Sequence, residues 1–118
     1  MDDLTITRLC AEAMGWRPAG ERKDFDSVKA IPVEQFPGAP HYQYAPLRDD
    51  AAAMALVKKL HIAISILRGG GWMSHCEQMR GWIENVDLNR AICECCAKVM
   101  LAKKGASDDA KIENKDRG

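Results

Sequence analysis

The sequence predicts an α+β fold in which a small antiparallel sheet is sandwiched between helices. The sheet is a β-hairpin near residues 62–78 plus one or more further strands. Three observations predict it. A helix-period stretch over 49–60 runs directly into an alternating apolar stretch over 62–67. The run Leu67-Arg68-Gly69-Gly70-Gly71-Trp72 then reverses the chain, because glycines supply the positive φ of a tight turn. Apolar stripes of helical period over 3–14 and 88–104 supply layers to cover a sheet.

The opening helix spans residues 3–14. Leu4, Leu9, Ala13 and Met14 recur at near-helical spacing, and Gly15 suits the C-cap. Trp16 is expected to pack on the core, since an indole is costly to leave in water. Residues 17–46 form a long connection carrying Pro18, Pro32, Pro37, Pro40 and Pro46, interleaved with Phe25, Phe36, Tyr42 and Tyr44. Such a loop is uncommon unless functional or disordered, and the spaced aromatics predict one pinned to the body. Residues 28–33 suggest a short strand, which Pro32 would confine to a sheet edge.

Pro46 marks the start of the second helix region and Asp49 is its expected cap. Ala53, Leu56, Val57 and Leu60 fall on one face, and Lys58 and Lys59 suit the negative end of the dipole. In the strand that follows, Ile62, Ile64 and Ile66 form one face and Ala63, Ser65 and Leu67 the other. Both are largely apolar, so the strand is expected to be covered on both sides. In the partner strand Trp72, Ser74 and Cys76 oppose Met73, His75 and Glu77. Residues 79–86 read equally as a third strand or an ordered loop. Asp87 caps the last helix, whose stripe is Leu88, Ala91, Ile92, Cys95, Val99 and Ala102, and Lys103, Lys104 and Gly105 are expected to end it. One domain over 1–104 and a flexible polar tail over 105–118 follow, with Ile112 the tail's only large apolar residue.

Composition bounds function. Seventeen basic and seventeen acidic residues cancel, so no global field draws the chain to nucleic acid or to a membrane surface. No apolar run approaches the ~20 residues of a membrane span. The acidic start Met1-Asp2-Asp3 is unlike a signal peptide. Five cysteines, three of them in Cys93-Glu94-Cys95-Cys96, do not form a disulfide framework, which predicts a reduced, cytoplasmic protein.

Three segments in order and in register resemble the phage ABA sandwich family. Residues 4–16, ending Ala13-Met14-Gly15-Trp16, are similar to its opening helix and Met-Gly-Trp signature. Tyr44-Ala45-Pro46 with Asp49 and Ala51-Ala52-Ala53 resembles its second signature, a Pro-led cap opening an alanine-rich helix. Residues 88–97, with Ala91-Ile92-Cys93, resemble its closing helix. The resemblance covers about residues 4–104. It implies a phage or prophage origin, a bacterial host cytoplasm and the sandwich fold, and it carries no catalytic residues.

The chemistry-bearing side chains read blandly. Cys93 and Cys95 lie about 200° apart on a helix, unlike a converging zinc set, so no metal site is expected even with His75 and Cys76 nearby. None of His41, His61 and His75 sits in a nucleophile-activating motif. No enzyme and no cofactor are expected. The expectation is a non-enzymatic phage accessory protein, a counter-defence or host-takeover factor that sequesters a small anionic, nucleotide-type ligand. Its site would use Tyr42, Tyr44, Arg48, Arg68, Trp72, Arg80 and Trp82, with the second helix's N-terminus offering N–H groups to the anion. The alternative is a module that inhibits a host or defence protein through a sheet edge or helix face. A homo-oligomer is compatible with either.

Overall fold

The structure, a computed structural model, describes residues 2–19, 30–78 and 81–117, with side chains described through Lys104. It is α+β: among the described residues, three helices pack with two small antiparallel sheets of three strands each. In chain order the elements are α1 (Asp3–Ala13), β1 (Arg17–Pro18), β2 (Ile31–Glu34), β3 (Tyr42–Tyr44), α2 (Asp50–Leu60), β4 (Ala63–Ile66), β5 (Trp72–His75), β6 (Ile83–Asn85) and α3 (Leu88–Arg117).

The three helices begin as their capping residues dictate. Asp2 accepts from Thr5 N at 2.8 Å, Asp49 from Ala51 N at 3.0 Å, and Asp87 from Asn89 N at 3.0 Å. The starts are also tied together. Arg90 Nη1 donates to Asp3 Oδ1 at 2.7 Å, joining α3 to α1, and Asn89 Nδ2 donates to Asp50 Oδ1 at 2.8 Å, joining α3 to α2. Asp3 beside the Arg90 guanidinium, with Glu94 behind it, stabilises the charged form of the arginine.

The core surrounds α3, which packs against α1, α2, β5 and β6. Ala91, Ile92, Cys93, Cys95, Cys96, Ala97 and Val99 are all buried, so the helix is covered on more than one stripe. The small residues let neighbours approach closely on every side. Ser74, buried on β5, donates its hydroxyl to Ala91 O at 2.7 Å, which satisfies this buried polar group against the helix. Ile6, Leu9 and Cys10 of α1 are buried and Leu4, Ala13 and Met14 pack half-buried against the core, so the predicted stripe faces inward and is widened by Ile6 and Cys10.

Several expectations are corrected. The connection over 17–46 contains a sheet of its own, ordered β1-β2-β3. Pro32 lies in the central strand, not at an edge. The accommodation is local: Ala19 N donates to Pro32 O at 2.8 Å, β1 ends one residue earlier, and the return bond that proline lacks would fall beyond the ladder. Residues 28 and 29 of the suggested strand, and Phe25, lie outside the described residues. The second sheet, ordered β4-β5-β6, resolves the open reading of 79–86 in favour of a strand over Ile83–Asn85. Its inner face carries Ile64, Ser74 and Ile83 in one row. Its outer face is largely uncovered: Ala63, Ser65, His75 and Glu84 are exposed, and Met73 is half-buried. Finally, α3 continues through Arg117 instead of ending at Lys104, and Ala102 is exposed. Gly105 in a helix costs only about 1 kcal/mol against alanine, and Ala106, Ala110, Lys111, Glu113 and Lys115 favour helix with no proline to stop it.

Candidate functional site

The described members of the predicted ligand site lie on separate elements. Tyr42 and Tyr44 belong to the first sheet; Trp72 belongs to the second, Trp82 lies just before β6, and Arg68 lies in the turn of the hairpin. Arg80 lies outside the described residues. Tyr44 is 1% exposed and is a core residue with no face for a ligand to stack on. Trp72 is half-buried against the core, while Trp82 is exposed. Arg48 is exposed in the turn before α2, where its own N–H donates to Ala45 O.

The start of α2 is also closed to an anion. The Asp49 carboxylate already accepts from Ala51 N, and Asp50 stands beside it holding Asn89. A phosphate would have to displace one carboxylate and face another. The joining of the three helix starts adds Asp3 and Asp87 to the same end, so the positive dipole ends are answered by the chain's own acids.

A different concavity is built by the end of α1 and the first sheet. After Ala13 the chain turns through Gly15, whose φ of +81° is the left-handed conformation that glycine alone adopts freely. Gly15 N donates to Glu12 O and Trp16 N to Ala11 O, which closes the helix end. This reversal lays the Trp16 ring edge-to-face on Tyr44 at 5.2 Å and on Tyr42 at 5.9 Å between centroids. Arg17 then pairs with Glu34 across the β1–β2 ladder. On the far side a turn over 36–39, closed by Ala39 N to Phe36 O, holds Phe36 outward at 63% exposure. The resulting cleft of about 290 Å³ is lined by Gly15, Arg17, Glu34, Gln35, Phe36 and Pro37. A Cβ placed on Gly15 would meet nothing within 4 Å, so a ligand can lie against the backbone there.

The cleft's electrostatics are adjustable. Arg17 Nη2 sits 3.4 Å from Glu34 Oε2, and His41 Nε2 lies 3.9 Å from the other carboxylate oxygen. The Arg17 side chain is 76% exposed, and an exposed pair of this kind contributes about 0–1 kcal/mol. Turning the guanidinium from Glu34 to a bound anion therefore costs little. Neither Arg17 nor Phe36 was among the predicted site residues. The signals for them are present in the sequence: a glycine helix stop directly before Trp16-Arg17, and an aromatic residue directly before Pro37-Gly38. A second concavity of about 250 Å³ is lined by Leu60, His61, Cys76, Glu77 and Gln78. Among the described residues its lining includes no aromatic side chain, and its thiol is engaged, Cys76 Sγ donating to Leu60 O at 3.4 Å.

All five cysteines are buried and unpaired. They divide between two sides of α3. Cys93 and Cys96 meet Cys10 of α1, whose thiol is pushed well up by contact with those two and by burial. Cys95 faces the other way, toward Ser74 and Cys76, and burial pushes it up to about 11. Among the described residues no three His, Cys, Asp or Glu side chains are arranged to hold a metal ion. Two results are expected. A thiol reagent at pH 8 should label the native protein slowly and release five thiols per chain only on unfolding; fast labelling of the folded state would contradict the burial. Stability should also fall in alkali. A thiol whose folded pKa is raised contributes fully below the unfolded value, and the contribution is lost as pH rises from the ordinary thiol range toward about 11. The slope is roughly 1.4 kcal/mol per pH unit for each such group, read as a falling melting temperature above about pH 9.

Among the described residues no helix is long and apolar enough to cross a membrane. Comparison with family models, curated proteins and solved structures finds no match to the chain. The resemblance to the phage ABA sandwich family therefore rests on its three sequence segments.

Proposed function

We propose that the protein binds a small, flat, anionic ligand of nucleotide type in the cleft between the end of α1 and the turn over 36–39, and does not convert it. The observation that carries this reading is Phe36, an aromatic side chain 63% exposed beside an arginine over a concavity of about 290 Å³. The ring offers a stacking face, Arg17 a bidentate fork for phosphate or carboxylate, and the Gly15 backbone an unobstructed wall. Binding without turnover is supported by the described lining, whose one carboxylate, Glu34, is paired with Arg17 and which includes no thiol or hydroxyl among the described residues. The phage resemblance supplies the context: the ligand would be a host signalling or defence nucleotide, removed by sequestration.

The test is calorimetry with a panel of cyclic and ADP-ribose-type nucleotides. Phe36→Ala and Arg17→Ala should each weaken binding by about tenfold or more, equivalent to about 1.4 kcal/mol. Arg48→Ala and Trp82→Ala should leave it unchanged. Loss on Arg48→Ala with Phe36→Ala unaffected would move the site to α2, and no heat with any member of the panel would reject the ligand class.

A further inference from the structure

The second sheet has an edge that nothing on the strand guards. Exposed strand edges are ordinarily protected by charge, proline or a bulge, because their free N–H and C=O groups recruit other strands. Among the described edge strands, β1 contains Pro18, β6 contains Glu84, and β3 is three residues long between Pro40 and Pro46. β4 reads Ala63-Ile64-Ser65-Ile66, with no charge, proline or glycine. Ala63 and Ser65 are exposed, and Ile66 is 74% exposed, one of the most exposed large apolar side chains of the described residues.

The hairpin fixes which backbone groups this edge offers. Leu67 N donates to Gly71 O, so Leu67 faces β5. Alternation along an antiparallel ladder then turns Ser65 and Ala63 toward β5 and leaves the N–H and C=O groups of Ile64 and Ile66 pointing away. We propose that two copies of the chain pair antiparallel through β4 about a two-fold axis at Ser65, joining two three-stranded sheets into one of six strands.

The register follows from the outward groups. A two-fold axis can pass through an outward residue or through one flanked by two of them. An axis at Ile64 would set Ile66 against Ile62, whose N–H is already given to Val57 O, and an axis at Ile66 would set Ile64 against Arg68 in the turn. An axis at Ala63 would set Ile66 against Leu60, which is helical, and an axis at Leu67 would set Ile64 against Gly70 in the turn. An axis at Ser65 alone gives both outward residues of β4 partners within the strand. Ile64 of each copy then exchanges two backbone hydrogen bonds with Ile66 of the other, and the exposed Ile66 side chain is covered by Ile64 on the same face. The two Ser65 hydroxyls meet at the axis, where like residues of this type bond favourably. No charge meets a like charge, since Arg68 falls opposite Ile62. The contact is isologous, so it closes as a dimer and does not propagate. Four-residue strands cover less area than a stable dimer interface requires, so the association is expected to be weak and concentration-dependent.

Sedimentation velocity over a concentration series should show a reversible monomer–dimer equilibrium. Ser65→Lys, on the exposed outer face, should keep the native circular dichroism and weaken dimerisation at least tenfold, because two like charges meet at the axis. Ser65→Cys should cross-link to a covalent dimer under diamide, which takes up the two electrons and two protons of the thiol pair. Ala63→Cys, opposite Leu67 in this register, should cross-link far less. A chain that stays monomeric at every concentration, or dimerisation that Ser65→Lys leaves intact, overturns the proposal. So does cross-linking of Ala63→Cys as fast as Ser65→Cys. Ligand binding at Phe36 is read separately and does not depend on the outcome.

Discussion

Tyr44→Ala should cost about 3–5 kcal/mol in urea denaturation, as expected for removing a large side chain from a packed core, while Tyr44→Phe should be neutral or stabilising by about 1 kcal/mol. Tyr44 is 1% exposed, meets Trp16 edge-to-face at 5.2 Å, and lies beside the Cys10, Cys93 and Cys96 thiols. Its hydroxyl has no hydrogen-bond partner among the described residues. A buried, unpaired hydroxyl forfeits the water it left behind, so deleting the oxygen and keeping the ring removes a penalty. Burial, reinforced by the neighbouring thiols, also pushes the phenol far above its ordinary range. The ring is thus the stabilising part and the oxygen is not. A loss of more than about 1.5 kcal/mol in Tyr44→Phe, the scale of a made hydrogen bond, would show that the hydroxyl is satisfied in solution.

Ile92→Ala should lose about 2–5 kcal/mol, with an unchanged denaturant slope if the unfolded state is unaffected. Ile92 is fully buried on the helix that α1, α2 and the second sheet all share. None of these partners can collapse into the space without leaving another. Leu101, on the same helix but 44% exposed, provides the comparison. Leu101→Ala should cost less than about 1 kcal/mol, since a half-exposed side chain gives up only part of its transfer free energy. Equal losses at the two positions would mean that α3 is not the centre of the core.

Local chemistry made much of this architecture legible. Asp49 and Asp87 cap where their side chains can reach the next N–H groups. Gly70 and Gly71, with φ of +93° and +88°, make the hairpin that their lack of Cβ allows. The grouping of Trp72, Ser74 and Cys76 on one face holds, with Ser74 and Cys76 buried, because period two leaves a strand only two faces. The opposite sides of α3 taken by Cys93 and Cys95 follow from the helical repeat alone.

The rest depended on long-range partners. Whether Pro32 stands in a central or an edge strand turns on where β1 ends, fourteen residues away in the chain. Whether the Ala63 and Ser65 side of β4 is covered depends on what packs there, and an apolar pattern permits a cover without supplying one. Tyr44 reads from its neighbours as a surface aromatic in a proline-rich loop; only the Trp16 indole and the thiols of two helices make it core. The cleft is the extreme case. Gly15, Arg17 and Phe36 are unremarkable singly, and they become a site only because the α1 stop and the β1–β2 ladder bring residues 15–17 against 34–37. Capping, turn geometry and periodicity act over a few residues, so the sequence by itself determined the helix starts, the hairpin and the two-sided alternation of its strands. Burial and concavity are properties of surfaces that meet, so only the tertiary structure decided which aromatic is core, which face is bare and where a ligand can sit.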